Sequence, residues 1–506
     1  MSASSHEPFR EGDFSLAQRF FLRLLGISHL IAFVSLWTQI HGLIGSQGIQ
    51  PSGADNTLHL LCGGGSVAAL LLIAGILPRV SMAAAWVLYL RLSLITAPFL
   101  DFQWDTLLLE TTLFGLFWSR TRRTPQPDGE ATVQRLGRWA LWCLLFKLMF
   151  LSGATKLLSG DPTWRDLTAM SYHYQTQPLP NWISWHVHHL PAWWHKSTVV
   201  ITLAIELLVP FGIFAGRRLR HLASLSMIAL QCLIQITGNY GFFNLLTATL
   251  CVPLLDDALL QRLLPRRGTA SPEIPRIGTR DWKQMPAMAL LIGLMSVSAL
   301  TLLDELVKTY RMAQRNPQAQ SIPAPIATGL ERCDRYLLRV ARRQLLDRMR
   351  WLRTINGYGL FRVMTTSRTE IVIEGSADGQ HWFAYEFRWK PGDPHRPPGI
   401  VAPHLPRLDW QMWFAALYPP GHRDWLLSLA RHLTLGTPSV RALLVTDRSG
   451  RDPPRYIRFV FYRYEFSETD HPDGDWWGRE KISQSDVFSR SALEQNNALI
   501  EDRSRR

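Results

Sequence analysis

The chain has 506 residues and a mass of 57.8 kDa, room for more than one folding unit, and its 47% hydrophobic content is ordinary for a soluble protein. That average hides a split, because the first ~310 residues carry repeated apolar runs of about 17 to 25 residues, bilayer-spanning length, and the last ~200 carry none. The net charge of +14 does not point to nucleic acid, since the excess basic residues among the apolar runs sit in short loops and follow topology rather than a groove.

The first region predicts a polytopic α-helical membrane bundle of about nine spans, near 16–44, 58–77, 80–100, 104–118, 136–152, 198–215, 219–236, 242–260 and 285–307. Residues 1–15 are polar and read as a cytoplasmic N-terminus, so the first span is itself the insertion signal. Lys and Arg accumulate on the cytoplasmic side. Arg10, Arg79, Arg120, Arg122, Arg123, Arg135, Arg138, Arg217, Arg218, Arg220, Arg262, Arg266, Arg267, Arg276, Arg280 and Lys283 fall on one side. Loops 45–57, 101–103 and 237–241 carry no basic residue, and the long loop 153–197 carries only Lys156, Arg165 and Lys196. An odd number of spans then puts the C-terminal part on the far side, in a periplasm or an ER lumen.

Cys62, Cys143, Cys232 and Cys251 fall in predicted spans and Cys333 stands alone outside them, so a far-side domain has no internal disulfide to form. The absence of Asn-X-Ser/Thr acceptors and of an ER-retention tail fits a bacterial inner-membrane protein with a periplasmic C-terminal domain. In a eukaryote the same topology gives an ER membrane protein with a lumenal one.

Residues 311–355 read as a linker, rich in Pro, Ala and Gln over 313–329, followed by a basic amphipathic helix. In that helix Leu337, Leu338, Ala341, Leu345, Met349 and Leu352 recur at helical spacing between arginines, suited either to lipid headgroups or to covering the bundle or the soluble domain. Residues 356–467 predict a β-rich, sandwich-like domain. A strand over 370–374, an Asp-Gly turn in 376–380 and a return strand over 382–389 make a hairpin. Helices follow over 409–418 and 424–436, with Gly436 as C-cap, then a closing strand over 455–466. Residues 468–506 are polar and predict a disordered tail beyond Trp476 and Trp477.

Ionisable groups in a bilayer cost a few kcal/mol each, which makes Arg91, Glu110, Lys147 and Glu206 functional candidates, with Asp101, Asp105 and Lys156 at span ends. The alternative is that the first four pair with one another and hold the bundle together. A transporter reading lacks an inverted repeat. Segments 101–110, 151–170 and 235–247 face one compartment and predict a far-side cavity or client-binding surface formed by Lys156, Asp161, Trp164, His173, Tyr174, Gln177, Asn239, Tyr240 and Asn244. Arg407, Asp409 and Trp410 are expected on the soluble domain's surface, facing a client or the membrane. His173, His186, His188, His189 and His195 show no rigid zinc spacing, so no metal site is expected. Trp182, Trp185, Trp193 and Trp194 beside them suit an interfacial aromatic belt, or a surface that receives a peptide or lipid, since Pro178 and Pro180 forbid a continuous helix.

The sequence resembles the lipase maturation factor family over most of its length. The carrying stretches include QRFFLRLLGISHLIAFVSLWTQIHGLIGSQGI (18–49), FQWDTLLLE (102–110), LSGATKLLSGDPTWRDLTAMSYHYQTQPLPNWISWHVHHLP (151–191), IELLVPF (205–211) and QITGNYGFFNLL (235–246). They continue in YGLFRVMTTSRTEIVIEGSADGQHWFAYEFRWKPGD (358–393), PRLDWQMWFAAL (406–417) and PPRYIRFVFYRYEF (453–466). The resemblance implies a non-enzymatic integral-membrane maturation factor that assists folding or assembly of exported or lumenal proteins such as lipases. Its implied partners are lipase-like client proteins and membrane lipids, with no cofactor and no nucleic acid.

A second resemblance covers GATKLLSGDPTW (153–164), which is similar to the Lys-containing segment of the vitamin K-dependent gamma-carboxylase and related horizontally transferred transmembrane domains. It implies, as the alternative, a membrane-embedded enzyme modifying a peptide or lipid with Lys156 as base, because burial lowers a lysine pKa. A lysine snorkelling to headgroups is the plainer reading of that residue. EGSADGQHW (374–382) resembles the turn of galactose-binding-like β-sandwich domains; alternatively Trp382, Phe383, Tyr385, Phe387 and Trp389 fill a structural core.

Overall fold

In the bundle the chain forms α1 (Ser15–Trp37), α2 (Asp55–Ala74), α3 (Pro78–Ile95), α4 (Gln103–Trp118) and α5 (Thr132–Leu158). Two short helices, α6 (Ala169–Thr176) and α7 (Trp182–His188), precede α8 (Ala192–Leu207), α9 (Arg217–Ile236), α10 (Phe243–Cys251), α11 (Asp257–Leu263) and the long α12 (Met285–Gln314). This computed structural model describes residues 13–52, 54–119, 132–263, 284–445, 452–468 and 474–495. The basic loops at 120–131 and 264–283, the N-terminal residues 1–12 and the tail from 496 lie outside the described residues, and so do the expectations made for them.

Local signals set the helix ends. Gly75, at φ 72°, ends α2 in the left-handed conformation that a side chain disfavours, and Pro78 restarts the chain as the first residue of α3, where its missing N–H costs nothing. The free N–H groups opening α1 find a carboxylate from far along the sequence. Leu16 and Ala17 donate backbone N–H to Asp257 at 2.8 and 2.9 Å, and the Ser15 hydroxyl donates at 2.9 Å. That contact ties the start of the bundle to the α10–α11 turn.

Six described helices are long and apolar enough to cross a membrane: α1, α2, α5, Ala192–Phe214, α9 and α12. The α10–α11 pair, bent by 120°, makes a seventh if counted as one span. Nine spans are therefore not matched. α3 carries Arg79 and Arg91 within 18 residues, and α4 has only 16 residues, about 24 Å at 1.5 Å per residue against a ~30 Å hydrocarbon core. α4 is short because it is enclosed by protein: Asp105, Glu110, Thr111 and Thr112 are all fully buried in it.

Helix α13 (Ala324–Cys333) continues through π-helical turns at Asp334–Leu338 and Arg342–Leu346. It is pinned to α12 by Arg342, which donates to Asp304 at 2.5 Å and to Asp334 at 2.7 Å. Leu338 is buried, while Tyr336, Val340 and Trp351 stay exposed. The basic helix thus covers the flank of α12 on one side and leaves an amphipathic face open on the other.

The C-terminal domain is one antiparallel sheet of β1 (Arg368–Ser376), β2 (Phe383–Tyr385), β3 (Tyr456–Phe466), β4 (Trp477–Gln484) and β5 (Phe488–Ser489), in the order β2-β1-β3-β4, with β5 also beside β3. The expected hairpin forms, with Ile373 opposite Tyr385 and Gly375 opposite Phe383. The expected second sheet of a sandwich does not. Ile371, Ile373, Ile457 and Phe459 belong to the apolar cluster that includes Leu408, Met412 and Ala415 of α14 (Arg407–Leu417) and Leu429 and Leu433 of α15 (Arg423–Leu435), so helices supply the second layer. Gly436, at φ 70°, ends α15 as its sequence predicts. The polar stretch after 468 is not all disordered, because 477–484 pair with β3, Phe466 opposite Trp477 through Val460 opposite Gln484.

Candidate functional site

At the end of the bundle away from Asp257, loops 45–52, 159–191 and 237–241 meet the sheet domain. Trp413 of α14 donates its indole N–H to the Thr176 carbonyl at 2.9 Å, and Ser439 donates to the Gln47 carbonyl at 2.9 Å. Asn239 clamps residues 399–402: its Nδ2 donates to the Gly399 carbonyl at 2.8 Å and its Oδ1 accepts from Val401 and Ala402 N–H at 2.9 and 3.2 Å.

The contact that fixes the two regions is Arg407. Its guanidinium donates to both Asp105 carboxylate oxygens, at 2.6 and 2.8 Å, to the Phe99 carbonyl at 3.1 Å and to the Tyr89 hydroxyl at 3.3 Å. Arg407 and Asp105 are both 0% exposed. Arg407, Asp409 and Trp410 therefore do not form a surface. α14 turns them inward: Asp409 accepts N–H from Trp389 and Lys390, each at 2.9 Å, and Trp410 packs its ring 4.7 Å from Trp104. The sequence shows an Arg and an Asp on a helix, and only the fold shows that the bundle end covers them. Burial pushes the Asp409 carboxyl up from the ordinary range, opposed by those two N–H groups.

The intramembrane charges pair across helices. Lys147 donates to Glu110 at 2.5 Å and to Ser298 at 2.7 Å. Lys156 donates to both Glu206 oxygens, at 2.8 and 3.0 Å, and its ammonium lies 5.0 Å from the centre of the Trp164 ring. Of the four residues expected to pair with one another only Glu110 and Lys147 do; Glu206 pairs instead with Lys156, read from the sequence as a span-end residue, and Arg91 is exposed on α3.

His173, Gln177 and Tyr240 come together. The Tyr240 hydroxyl donates to Gln177 Oε1 at 2.8 Å, so the His173 Nε2–H, 3.2 Å from the same oxygen, is the donor to it. Burial lowers the His173 pKa to about 4, helped by the Lys156 cation, and the ring is neutral at pH 7. Tyr174 sits 5.7 Å ring to ring from His195, and Asn244 donates to Gln235 at 3.2 Å.

Around these residues an open cavity was expected, and the chain itself fills it. Residues 353–364 form a strap without helix or strand between the basic helix and β1. The bundle holds this strap by its backbone and by its side chains, among them Arg353, which donates to the Ser93 carbonyl and to Asp101, and Arg362, which donates to Glu305 and to the Thr309 hydroxyl. Met364 N–H donates to Asp161 at 2.6 Å, Gly359 N–H to Gln103 at 3.3 Å and Asn356 N–H to Glu110 at 3.4 Å. Trp164 donates to the Phe361 carbonyl at 3.0 Å. The fully buried Tyr358 donates its hydroxyl to Glu110 at 2.6 Å, with Lys147 5.3 Å from its ring. Phe361 lies edge-on to His173 at 4.8 Å and to Tyr240 at 6.0 Å.

Lys156, Asp161, Trp164, His173, Gln177 and Tyr240 thus gather at the strap, Asn239 joins the bundle to the sheet domain, and Asn244 and Tyr174 pack behind. Sequence reasoning missed Gln103, Tyr358, Phe361, Met364 and Arg368, whose guanidinium donates to the carbonyls of Gln175 and Pro178 at 2.8 and 2.9 Å. The only signal for the strap was the loss of helical period before Tyr358. Among the described residues no group of three or more His, Cys, Asp or Glu is placed to hold a metal ion.

Comparison with known proteins gives the same two-part division. Residues 52–262 match the lipase maturation factor transmembrane domain and residues 354–487 the lipase maturation factor C-terminal domain. Lipase maturation factor 2 of Homo sapiens is 34% identical over 93% of this chain and 82% of its own, and that of Xenopus laevis 33% over 94% and 82%. Lipase maturation factor 1 of Homo sapiens is 30% identical over 99% of this chain and 92% of its own. No solved structure matches. With both domains matched and its helices long and apolar enough to cross a membrane several times, the chain belongs to the lipase maturation factor family and is a multi-pass membrane protein.

Proposed function

We propose that this protein assists the folding or assembly of exported proteins, lipases among them, as a non-enzymatic factor that holds its sheet domain rigidly against the membrane bundle. The observation that carries the reading is the match to lipase maturation factors 1 and 2 along more than nine-tenths of this chain, bundle and sheet domain together. The Lys156–Glu206 pair adds to it: Lys156 directs hydrogen bonds to both Glu206 oxygens, at 2.8 and 3.0 Å, as a contact that joins two helices. The sheet domain lies on the far side of the membrane, opposite the basic loops, in a periplasm or a lumen.

The test is co-expression with a secreted dimeric lipase in cells that lack any such factor, scoring secreted activity per unit of lipase protein. Wild type raises specific activity, and deletion of residues 330–506 abolishes the gain. Equal specific activity with and without the protein would sink the reading. Protease accessibility of the sheet domain in sealed vesicles of known orientation checks the topology.

A further inference from the structure

The strap is bound as a client would be bound. We propose that the bundle carries a binding site for an unfolded polypeptide segment, occupied in this structure by the chain's own residues 353–364, which an incoming segment of an unfolded protein displaces. The inference rests on the maturation-factor reading and adds to it the place where the client is held and the chemistry that holds it.

Three independent observations support it. The first is the mode of recognition. Glu110, Gln103, Asp161 and Trp164 take up the N–H groups of Asn356, Gly359 and Met364 and the carbonyl of Phe361, groups that every polypeptide has, while Arg353 on Asp101 and Arg362 on Glu305 add ion pairs particular to the strap. Side-chain selectivity comes from two sockets three residues apart: Tyr358 against Glu110 and Lys147, and Phe361 between the His173 and Tyr240 rings. The segment that fits has neither helix nor strand, turns at the Phe361 position and carries aromatic residues at i and i+3.

The second observation is stored strain. Arg353 and Phe361, neither of them glycine, sit at φ 48° and 50°, in the left-handed region that a Cβ disfavours. Strain at these two points of the strap lowers the cost of lifting it away. Between them Gly357 and Gly359 supply freedom for the movement.

The third is a set of spare hydrogen-bonding groups. Trp104 Nε1, Trp410 Nε1, Asn244 Oδ1 and His173 Nδ1 are buried with no hydrogen-bond partner among the described residues. They are linked through the Trp104–Trp410, Trp410–Tyr240 and Trp104–Phe243 ring contacts beside the strap. Unpaired buried polar groups are rare and call for an explanation. Two donors and two acceptors are what a second stretch of backbone would satisfy and what the strap leaves unused.

The test locks the strap in place. A Cβ built at Gly359 lies 3.3 Å from the Thr155 hydroxyl oxygen, so the pair Thr155→Cys, Gly359→Cys is placed to form a disulfide. The full-length protein in nanodiscs is titrated with a fluorescein-labelled synthetic peptide copying residues 354–364. Oxidation of the double variant should weaken peptide binding at least tenfold and dithiothreitol should restore it, while wild type and Thr155→Cys alone are insensitive to oxidant. Phe361→Ala, which removes the ring from its socket and keeps a Cβ in the left-handed region, loosens the protein's own strap and should bind the peptide at least tenfold more tightly than wild type.

Equal affinity in the oxidised and reduced double variant, or no peptide binding by Phe361→Ala, overturns the inference. The same variants are scored in the lipase co-expression assay. Peptide binding that responds to the lock, with lipase maturation that wild type does not raise, would leave the site standing and remove the maturation reading. Maturation raised by wild type, with peptide binding indifferent to the lock, would remove the site alone.

Discussion

Replacing Arg407 with leucine should uncouple the sheet domain from the bundle. The guanidinium makes two charge-assisted hydrogen bonds to Asp105, at 2.6 and 2.8 Å, and neither residue is exposed to solvent. Removing one member of a buried ion pair leaves the other charge desolvated and unpaired, at a cost of about 3 to 5 kcal/mol. That is a large share of the roughly 5 to 15 kcal/mol by which folded proteins are stable. The Tyr89 hydroxyl, 2.5 Å from Asp105, remains but carries no charge to balance it. The assay is a double-mutant cycle of Arg407→Leu, Asp105→Leu and the pair, by equilibrium unfolding in mixed detergent and SDS micelles with tryptophan emission as the probe. Chymotrypsin digestion under native conditions reports release of the sheet domain. Each single variant should lose about 3 to 5 kcal/mol, and the double should lose much less than the sum, because the second substitution removes the charge that the first one strands. Arg407→Lys should fall between, keeping the charge and losing the two-pronged geometry. Single losses below about 1 kcal/mol, or effects that add to within about 0.5 kcal/mol, would refute the argument.

The other expectations test separate contacts. Lys156→Met should reduce protein abundance by stranding Glu206, and combining it with Glu206→Gln should restore both abundance and secreted lipase activity; restored abundance without activity would show that Lys156 has a role beyond pairing. Asn239→Ala leaves the buried N–H of Val401 without its acceptor and should cost about 1 to 3 kcal/mol, seen as new protease cleavage near 399–404. Trp413→Phe deletes one hydrogen bond to Thr176 and should cost about 1 kcal/mol in the same unfolding assay. His432 is buried at 5% exposure, and desolvation lowers its pKa from 6.5 to about 4, with Arg431 adding to the effect. The unfolded chain therefore binds a proton between pH 6.5 and 4 that the folded one does not, so stability falls as pH drops through that window, and His432→Asn should flatten this part of the profile.

Much of the architecture was legible because its causes are local or set by the solvent. A bilayer requires long apolar helices, and α1, α2, α5, α9 and α12 declare themselves by composition. The Asp-Gly turn with flanking strands, and Gly436 closing α15, are short-range chemistry and appear where the sequence puts them. α3, with its two arginines, and α4, with its 16 residues, fall short of the length and apolarity of the other spans, and α4 can do so because a helix enclosed by protein need not meet what lipid imposes, which sequence alone does not show. Local reasoning took 477–484 for tail, because an edge strand with an exposed outer side reads as polar chain until β3 offers a partner.

The candidate site divides in the same way. Polar residues in apolar surroundings were visible one by one, since each must be satisfied, and Glu110, Lys147, Lys156 and Glu206 all are. Which partner satisfies each was not visible. Arg407 reaches Asp105 across 302 positions and Tyr358 reaches Glu110 across 248, distances over which no periodicity or spacing rule acts. By itself the sequence determined that these charges needed either partners or a function and that a β-rich domain follows a membrane bundle. Only the tertiary structure decided that the bundle closes on a strap of its own chain and that a buried arginine holds the sheet domain to it. Such pairings depend on which surfaces meet in space, which local sequence does not record.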